Sequence, residues 1–362
     1  MMRVGKLRGL APIGNRRERR LSACATTPPK KAAAGKIACP TCVLCSLLVL
    51  PLLLAFDELN DGKIALASHD YAKAADKFRA AVAGAEEEAT KLEALTQLAA
   101  ASRLLGHPDE AEQALKQAAP LGIKLHGDTS LEVAAILSSL SGAQRALGKR
   151  KEAILSIESA LRMREIHPTE KLVEFANDLF SAAKIRIDME DTKLAKGLLT
   201  RALATCETTL PPESPQCLRM LDELAGILRL RLEYAEAETL YVRALRLREA
   251  VDGPDAPDLI PTIDSLAYVY FGLGRYEDAE PMYRRLLSLW ETSAGPDHPM
   301  VALTLDKMAE FYAAQERYAE AETLIVRATT IRTSALIDSL KRGGRVFLQD
   351  LVRDTEAEGK KP

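Results

Sequence analysis

The apolar positions of this chain fall on helical spacing and return at a fixed interval. Three segments align, YAEAETLYVRALRLRE from Tyr234, YEDAEPMYRRLLSLWE from Tyr276 and YAEAETLIVRATTIRT from Tyr318, each beginning 42 residues after the one before. The small residue of this pattern carries back through weaker copies as Ala321, Ala279, Ala237, Ala195, Ala153 and Ala111, with no slip of register. YAKAADKFRAAV then places Ala74 only 37 residues before Ala111, so the first unit is shorter and the units number seven. Such a period means that each unit is one supersecondary element that buries its apolar face on its neighbours.

Upstream of each alanine a second apolar set recurs at Leu137, Leu179, Leu221, Ile263 and Leu305, followed three residues later by Leu140, Ala182, Leu224, Leu266 and Met308. A small residue comes next (Ser141, Ala183, Ala225, Ala267, Ala309), giving one helix an i, i+3, i+4 face with a close contact point. The second helix carries the aligned alanine, with Ile157, Leu199, Tyr241, Tyr283 or Ile325 four residues on. Between the two come Leu105-Gly106, Leu147-Gly148 and Leu273-Gly274, where glycine can take the left-handed conformation that ends a helix. Pro211-Pro212, Gly253-Pro254-Asp255 and Gly295-Pro296-Asp297-His298-Pro299 separate successive pairs, since proline cannot continue a helix. The spacing therefore predicts an all-α chain of helix, tight turn, helix and loop, repeated. Composition agrees: 47% hydrophobic residues with only 5% aromatic suits helices rich in Ala, Leu, Glu and Arg.

Charge and hydropathy set the first 56 residues apart. They hold ten Lys and Arg against the single acid Glu18, leaving 39 basic and 50 acidic residues in the remainder. An acidic repeat array repels phosphate backbones, which argues against a nucleic-acid partner. Residues 1–36 read as a disordered basic leader, and residues 37–56, an uncharged apolar run, as a signal sequence or a transmembrane anchor. Either reading exports the repeats or tethers them to a membrane; organellar or cytoplasmic placement is the alternative.

The G-P-D-H-P loop and the A-E-x-L-Y-x-R-A-L run resemble the tetratricopeptide repeat, in its 42-residue form found in kinesin light chains and many bacterial proteins. The resemblance covers roughly residues 55–334 and implies a right-handed α-α superhelix, a TPR solenoid over 57–334, with a concave groove lined by the first helix of each pair. It also implies binding of extended peptides or partner proteins there. Where that type has an Asn pair early in the first helix, this chain has Asp222-Glu223, Asp264-Ser265 and Asp306-Lys307. Asp222, Asp264 and Asp306 are 42 apart, and the alignment puts them on the groove face with Tyr268 and Glu310 nearby. Two explanations stand side by side: an acidic ladder for a basic peptide, or aspartates placed in the first turns of helices where the dipole favours them. Residues 335–362 should supply a capping helix, broken from the repeats at Gly343-Gly344, and a polar tail disordered beyond Thr355.

Four of the six cysteines, Cys24, Cys39, Cys42 and Cys45, lie before residue 56. Thiolate ligands in a membrane-length apolar run would be buried and unpaired, so the C-x-x-C-x-x-C string does not read as a metal site. Cys206 and Cys217 flank Pro211-Pro212 between two units and can meet; in an exported chain they would form a disulfide, in a reducing compartment two small apolar side chains. Gly142 and Gly148-Lys149 lack the spacing and the Ser or Thr of a phosphate-binding loop. The five histidines show no paired metal spacing and the carboxylates no isolated pair, so no enzyme, cofactor or metal is expected. A protein- or peptide-binding scaffold is the leading functional expectation, with a structural spacer in an envelope assembly as the alternative.

Overall fold

The computed structural model describes Ala55 and residues 57–358, with side chains through Ser339. Every described residue belongs to one compact unit, 52–362; the leader and most of the apolar run 37–56 lie outside. Among the described residues no helix is long and apolar enough to cross a membrane.

The described residues form fourteen α-helices, a short 3-10 helix at Pro257–Leu259 and no strand. They run α1 (57–67), α2 (Tyr71–Gly84), α3 (Glu88–Leu104), α4 (Pro108–His126), α5 (Leu131–Ala146), α6 (Arg150–Ile166) and α7 (Leu172–Asp188). There follow α8 (Thr192–Thr209), α9 (Pro215–Leu230), α10 (Tyr234–Asp252), α11 (Ile260–Gly272), α12 (Tyr276–Ala294), α13 (Pro299–Ala313) and α14 (Tyr318–Glu358). Successive helices pack on each other, giving seven pairs in an all-α solenoid with the repeating unit expected from the sequence.

The aligned alanines are the close contacts of these pairs. Ala74, Ala111, Ala153, Ala195, Ala237, Ala279 and Ala321 are all buried, as are Ala160, Ala202, Ala244 and Ala328 one or two turns on. Larger apolar side chains fill the space between units: Leu179, Leu199, Leu221, Ile227 and Leu259 belong to one cluster that extends from Ala134 to Leu289. Ser130 and Ser214 cap α5 and α9 by accepting from the amides of Val133 and Cys217, and His298 accepts from Met300 at α13.

The tight turns repeat in conformation even where they do not in residue type. Gly106, Gly148 and Gly274 have φ of 78°, 73° and 70°, and the same register holds Glu190, Leu232 and Glu316 at 63°, 61° and 62°. The repeat imposes a left-handed residue there, and four units accept it without glycine, the fourth being the short first unit with His69 at 63°.

Ion pairs that period alone would reveal join the units. Arg201–Glu165 (2.9 Å), Arg243–Glu207 (2.7 Å), Arg285–Glu249 (2.6 Å) and Arg327–Glu291 (2.5 Å) link consecutive second helices from α6 to α14. At the tight turns Lys149–Glu112 (2.6 Å), Arg275–Glu238 (2.7 Å) and Arg317–Glu280 (2.9 Å) form another series, and Lys196–Glu233 makes the same contact with the charges exchanged. Most of these pairs are open to solvent on at least one side and so add little stability, and the ladder fixes register more than it stabilises.

The C-terminal end differs from expectation. Among the described residues no separate capping helix follows the last pair: α14 runs unbroken for 41 residues through Gly343-Gly344 and past Thr355 to Glu358. A helical glycine costs only about 1 kcal/mol against alanine, too little to stop a helix without a left-handed cap or a following proline.

Candidate functional site

The first helices of the last three pairs open onto clefts. One stripe of α9, with Arg219, Asp222, Glu223, Gly226 and Arg229, faces a cleft of about 860 Å³ that is closed by Val251 and Asp252 of α10 and by Asp258 and Pro261 at the start of the next pair. Asp264, Ser265 and Tyr268 of α11, with Lys307 and Glu310 of α13, line a second of about 240 Å³. Arg229 borders both. Toward the N-terminus, α3 and α5 frame a less charged cleft of about 620 Å³ with Leu92, Leu115, Ala135 and Ile136 in its walls.

Of the residues singled out in the sequence, Asp264, Tyr268 and Glu310 come together in the 240 Å³ cleft and Asp222 sits in the larger one beside it. Asp306 is part of neither. The carboxylates do not stand as an open row. Arg248 reaches back from α10 to Asp222 (Nη1 to Oδ1, 2.9 Å), whose carboxylate holds the guanidinium above its ordinary range, and also donates to the Thr262 hydroxyl (2.6 Å). Lys307 donates to both oxygens of Asp264 at 2.6 and 2.7 Å, and Arg332 engages Asp306. Nor do the aspartates sit in first turns: Asp222 and Asp306 are the eighth residues of α9 and α13, and Asp264 the fifth of α11. The dipole effect fades within the first turn, so in-chain cations, not the macrodipole, explain these carboxylates.

Arginines missed in the sequence lie among them. The Arg229 guanidinium stacks over the half-exposed Tyr268 ring (5.2 Å), Tyr268 meets Tyr234 edge-on (6.4 Å), and the Arg229 Nε is buried without a hydrogen-bond partner among the described residues. Arg219 stacks on Phe180 (5.1 Å). Neither stands in register with another arginine in a neighbouring unit, so periodicity carries no sign of them; helical spacing from Asp222 does, since Arg219 and Arg229 lie three and seven residues away along one face. Tyr283, at the back of the smaller cleft, has its hydroxyl pushed well above the usual range by burial and then by Asp264.

Cys206, near the end of α8, and Cys217, at the start of α9, are brought together as a disulfide with Cα atoms 5.7 Å apart, both buried in the core. Their loop contributes Glu213 and Pro215 to the large cleft. Among the described residues no group of three His, Cys, Asp or Glu is placed to hold a metal ion.

The sequence profile of the tetratricopeptide repeat matches residues 90–166, 216–291 and 259–334, more than half of the chain. The chain belongs to the tetratricopeptide repeat family. Solved structures with the same fold include kinesin light chain TPR-like repeats of Podosopora anserina, 19% identical, covering 58% of this chain and 99% of that one with a TM-score of 0.51. BtubC (BKLC) of P. vanneervenii is 20% identical, covers 68% of this chain and 92% of its own, and gives 0.52. The apo form of RapI is 17% identical over 77% of this chain and 76% of its own, at 0.61. No curated protein sequence matches the chain. This TPR solenoid shares its fold with the kinesin light chain TPR-like repeats, the likeness that its loops and its A-E-x-L-Y-x-R-A-L run suggest.

Proposed function

We propose that this TPR solenoid is a non-catalytic scaffold that holds an extended peptide or a segment of a partner protein against the first helices α9, α11 and α13. One observation carries the reading: two adjoining clefts on successive first helices share Arg229, whose Nε has no partner of its own and whose plane rests on an exposed tyrosine. A buried donor left open in a groove favours a ligand acceptor, and a stacked Arg–Tyr pair supplies rigid contact area at small entropic cost. Because Asp222, Asp264 and Asp306 are already paired, a basic ligand would have to displace Arg248, Lys307 or Arg332; the groove is better suited to a ligand bringing backbone carbonyls or a carboxylate to Arg229.

Export or membrane anchoring completes the proposal. The apolar run 37–56 behind its basic flank supports it, and an oxidising space suits a Cys206–Cys217 bond. Nucleic acid is not the proposed partner, for the acidic balance of residues 57–362 opposes it.

A photoreactive residue at position 268, compared with one at Arg201 on the outer row of second helices, tests the site. A saturable crosslink from 268 that Arg229→Ala abolishes, with none from 201, is the expected result. Equal labelling from both positions, or none from either, would replace binding by the spacer role. N-terminal sequencing of the mature chain tests export separately.

A further inference from the structure

We propose that the 620 Å³ cleft between α3 and α5 is a second subsite of the same groove and takes a large aliphatic side chain of the ligand that Arg229 holds by a carboxylate. The inference rests on the groove reading above and adds a ligand class to it, an extended segment whose aliphatic and acidic anchors lie about nine residues apart. It starts from a correspondence of register. Leu92, Leu125 and Ala135 line the 620 Å³ cleft, and Leu218, Val251 and Pro261, each 126 residues or three periods later, line the 860 Å³ cleft. Residues a whole number of periods apart occupy the same place in their units, so a chain laid across the first helices at one cleft meets the other. In the two units between them the register of Arg248 is taken up within the core, by Arg164 paired with Asp178 and by Cys206 bonded to Cys217.

The two clefts share a frame but not a chemistry. Arg248 and Asp222 of the 860 Å³ cleft have Gly122 and Thr96 as counterparts. A Cβ on Gly122 would stand 2.8 Å from the Ile136 Cδ1, so the side chain that packs there is the isoleucine, and with Leu92 and Leu115 it makes the wall apolar. Leu125 is 39% exposed beside it. The acidic residues of this cleft are already met: Glu93 pairs with Lys63 at 2.6 Å and Glu132 with Lys171 at 4.0 Å. An apolar wall open to water gains most from a group that has no hydrogen bonds to lose, which is an aliphatic side chain. The C-terminal cleft has the opposite need. Arg219 and Arg229 rest on Phe180 and Tyr268 with no carboxylate partner among the described residues, and an acidic group answers them. Three steps of roughly 10 Å between first helices are spanned by about nine extended residues at ~3.3 Å each.

Selection of a random library of peptides of about 16 residues on the full chain, followed by fluorescence anisotropy with an enriched peptide, tests this. Enriched peptides should carry Leu, Ile or Met about nine residues from Asp or Glu. Ala135 is exposed, so Ala135→Arg fills the cleft without disturbing the core, and it should weaken the enriched peptide about tenfold with the helical circular dichroism unchanged. Replacing the peptide's aliphatic residue by alanine should cost about tenfold on the parent and under about twofold on Ala135→Arg, because both changes remove one contact. Leu125→Ser, a second exposed position in the cleft, should weaken binding about threefold. Binding that Arg229→Ala abolishes but Ala135→Arg and Leu125→Ser leave intact overturns the second subsite and leaves the groove reading standing. Anchors fewer than about five residues apart, too close to reach both clefts, do the same. A library that yields no binder, or binders indifferent to all three substitutions, overturns both.

Discussion

Asp178 and Arg164 form the most buried ion pair in the solenoid, each side chain under 5% exposed and Nε to Oδ2 at 2.5 Å. Ser138 donates to the other carboxylate oxygen, also at 2.5 Å, while Nη1 of Arg164 is buried without a partner among the described residues. Burial lifts the Asp178 carboxyl above its ordinary value against the pull of Ser138 and Arg164, so for the carboxylate desolvation outweighs these contacts. The next unit shows the pair can be dispensed with: 42 residues on, Cys206 stands in the register of Arg164 and Met220 in that of Asp178, both buried and apolar. Asp178→Met alone should therefore destabilise by about 3–5 kcal/mol, because it strands the Arg164 charge in the core. Asp178→Met combined with Arg164→Leu should return to within about 1 kcal/mol of the parent, a coupling of at least about 2 kcal/mol. Urea unfolding of the two single variants and the double variant, followed by circular dichroism, measures the cycle. A single variant costing less than about 1 kcal/mol, or a double variant costing the sum of the singles, would refute the reasoning.

Four further outcomes are expected. Leu232→Gly should stabilise by about 0.5–1 kcal/mol, since the left-handed strain relieved exceeds the entropy glycine adds and the side chain is exposed; Gly274→Leu should do the reverse, both read from urea midpoints. Glu280 is held at about 2, from an ordinary 4.5, chiefly by the Arg317 guanidinium, with Arg284 and Tyr312 adding to it. A depressed carboxylate contributes stability above its unfolded value, so that contribution should vanish as pH falls from 4.5 toward 2, and Glu280→Gln should flatten the acid limb of a thermal-unfolding series over that window. Reducing Cys206–Cys217 should cost about 2–3 kcal/mol, visible as a lower unfolding midpoint with reductant that Cys206→Ala with Cys217→Ala no longer shows. Exchanging Arg243 and Glu207 for each other's residues should leave stability within about 0.5 kcal/mol of the parent, while either single reversal lowers it by about 0.5–1 kcal/mol.

The architecture could be read from the alanines because a one-dimensional array repeats its packing problem, and a residue that must be small in one unit must be small in all. The tight turn was legible through Gly106, Gly148 and Gly274, but at Glu190, Leu232 and Glu316 only register betrays the left-handed backbone. Gly343-Gly344 misled because glycine marks a helix end only when the chain turns left-handed there, and its neighbours here are good helix formers. The groove was half legible. Period and family alignment placed Asp222, Asp264, Tyr268 and Glu310 beside real clefts, yet the state of Asp222, Asp264 and Asp306 depends on a cation 26 or 43 residues away, on the second helix of the same pair or the first helix of the next. One unit's sequence contains only half of such a contact.

The register of Arg164 shows how one structural requirement is met in several ways. From α6 onward, a side chain at this point near the end of the second helix fastens it to the first helices around it, whereas α4 has Gly122 there. Arg164 reaches forward to Asp178; Arg248 reaches back to Asp222 and forward to Thr262; Trp290 stacks on His298 in the loop that follows; Arg332 engages Asp306 of its own pair. Cys206 does the same covalently through Cys217. The disulfide thus occupies the place of an ion pair and joins α8 to α9, the helix whose stripe opens into the 860 Å³ cleft. Only Arg332 has no following pair to fasten. There the solenoid's apolar face is left uncovered and α14 runs on, which is where a repeat array must either be capped or find a second molecule.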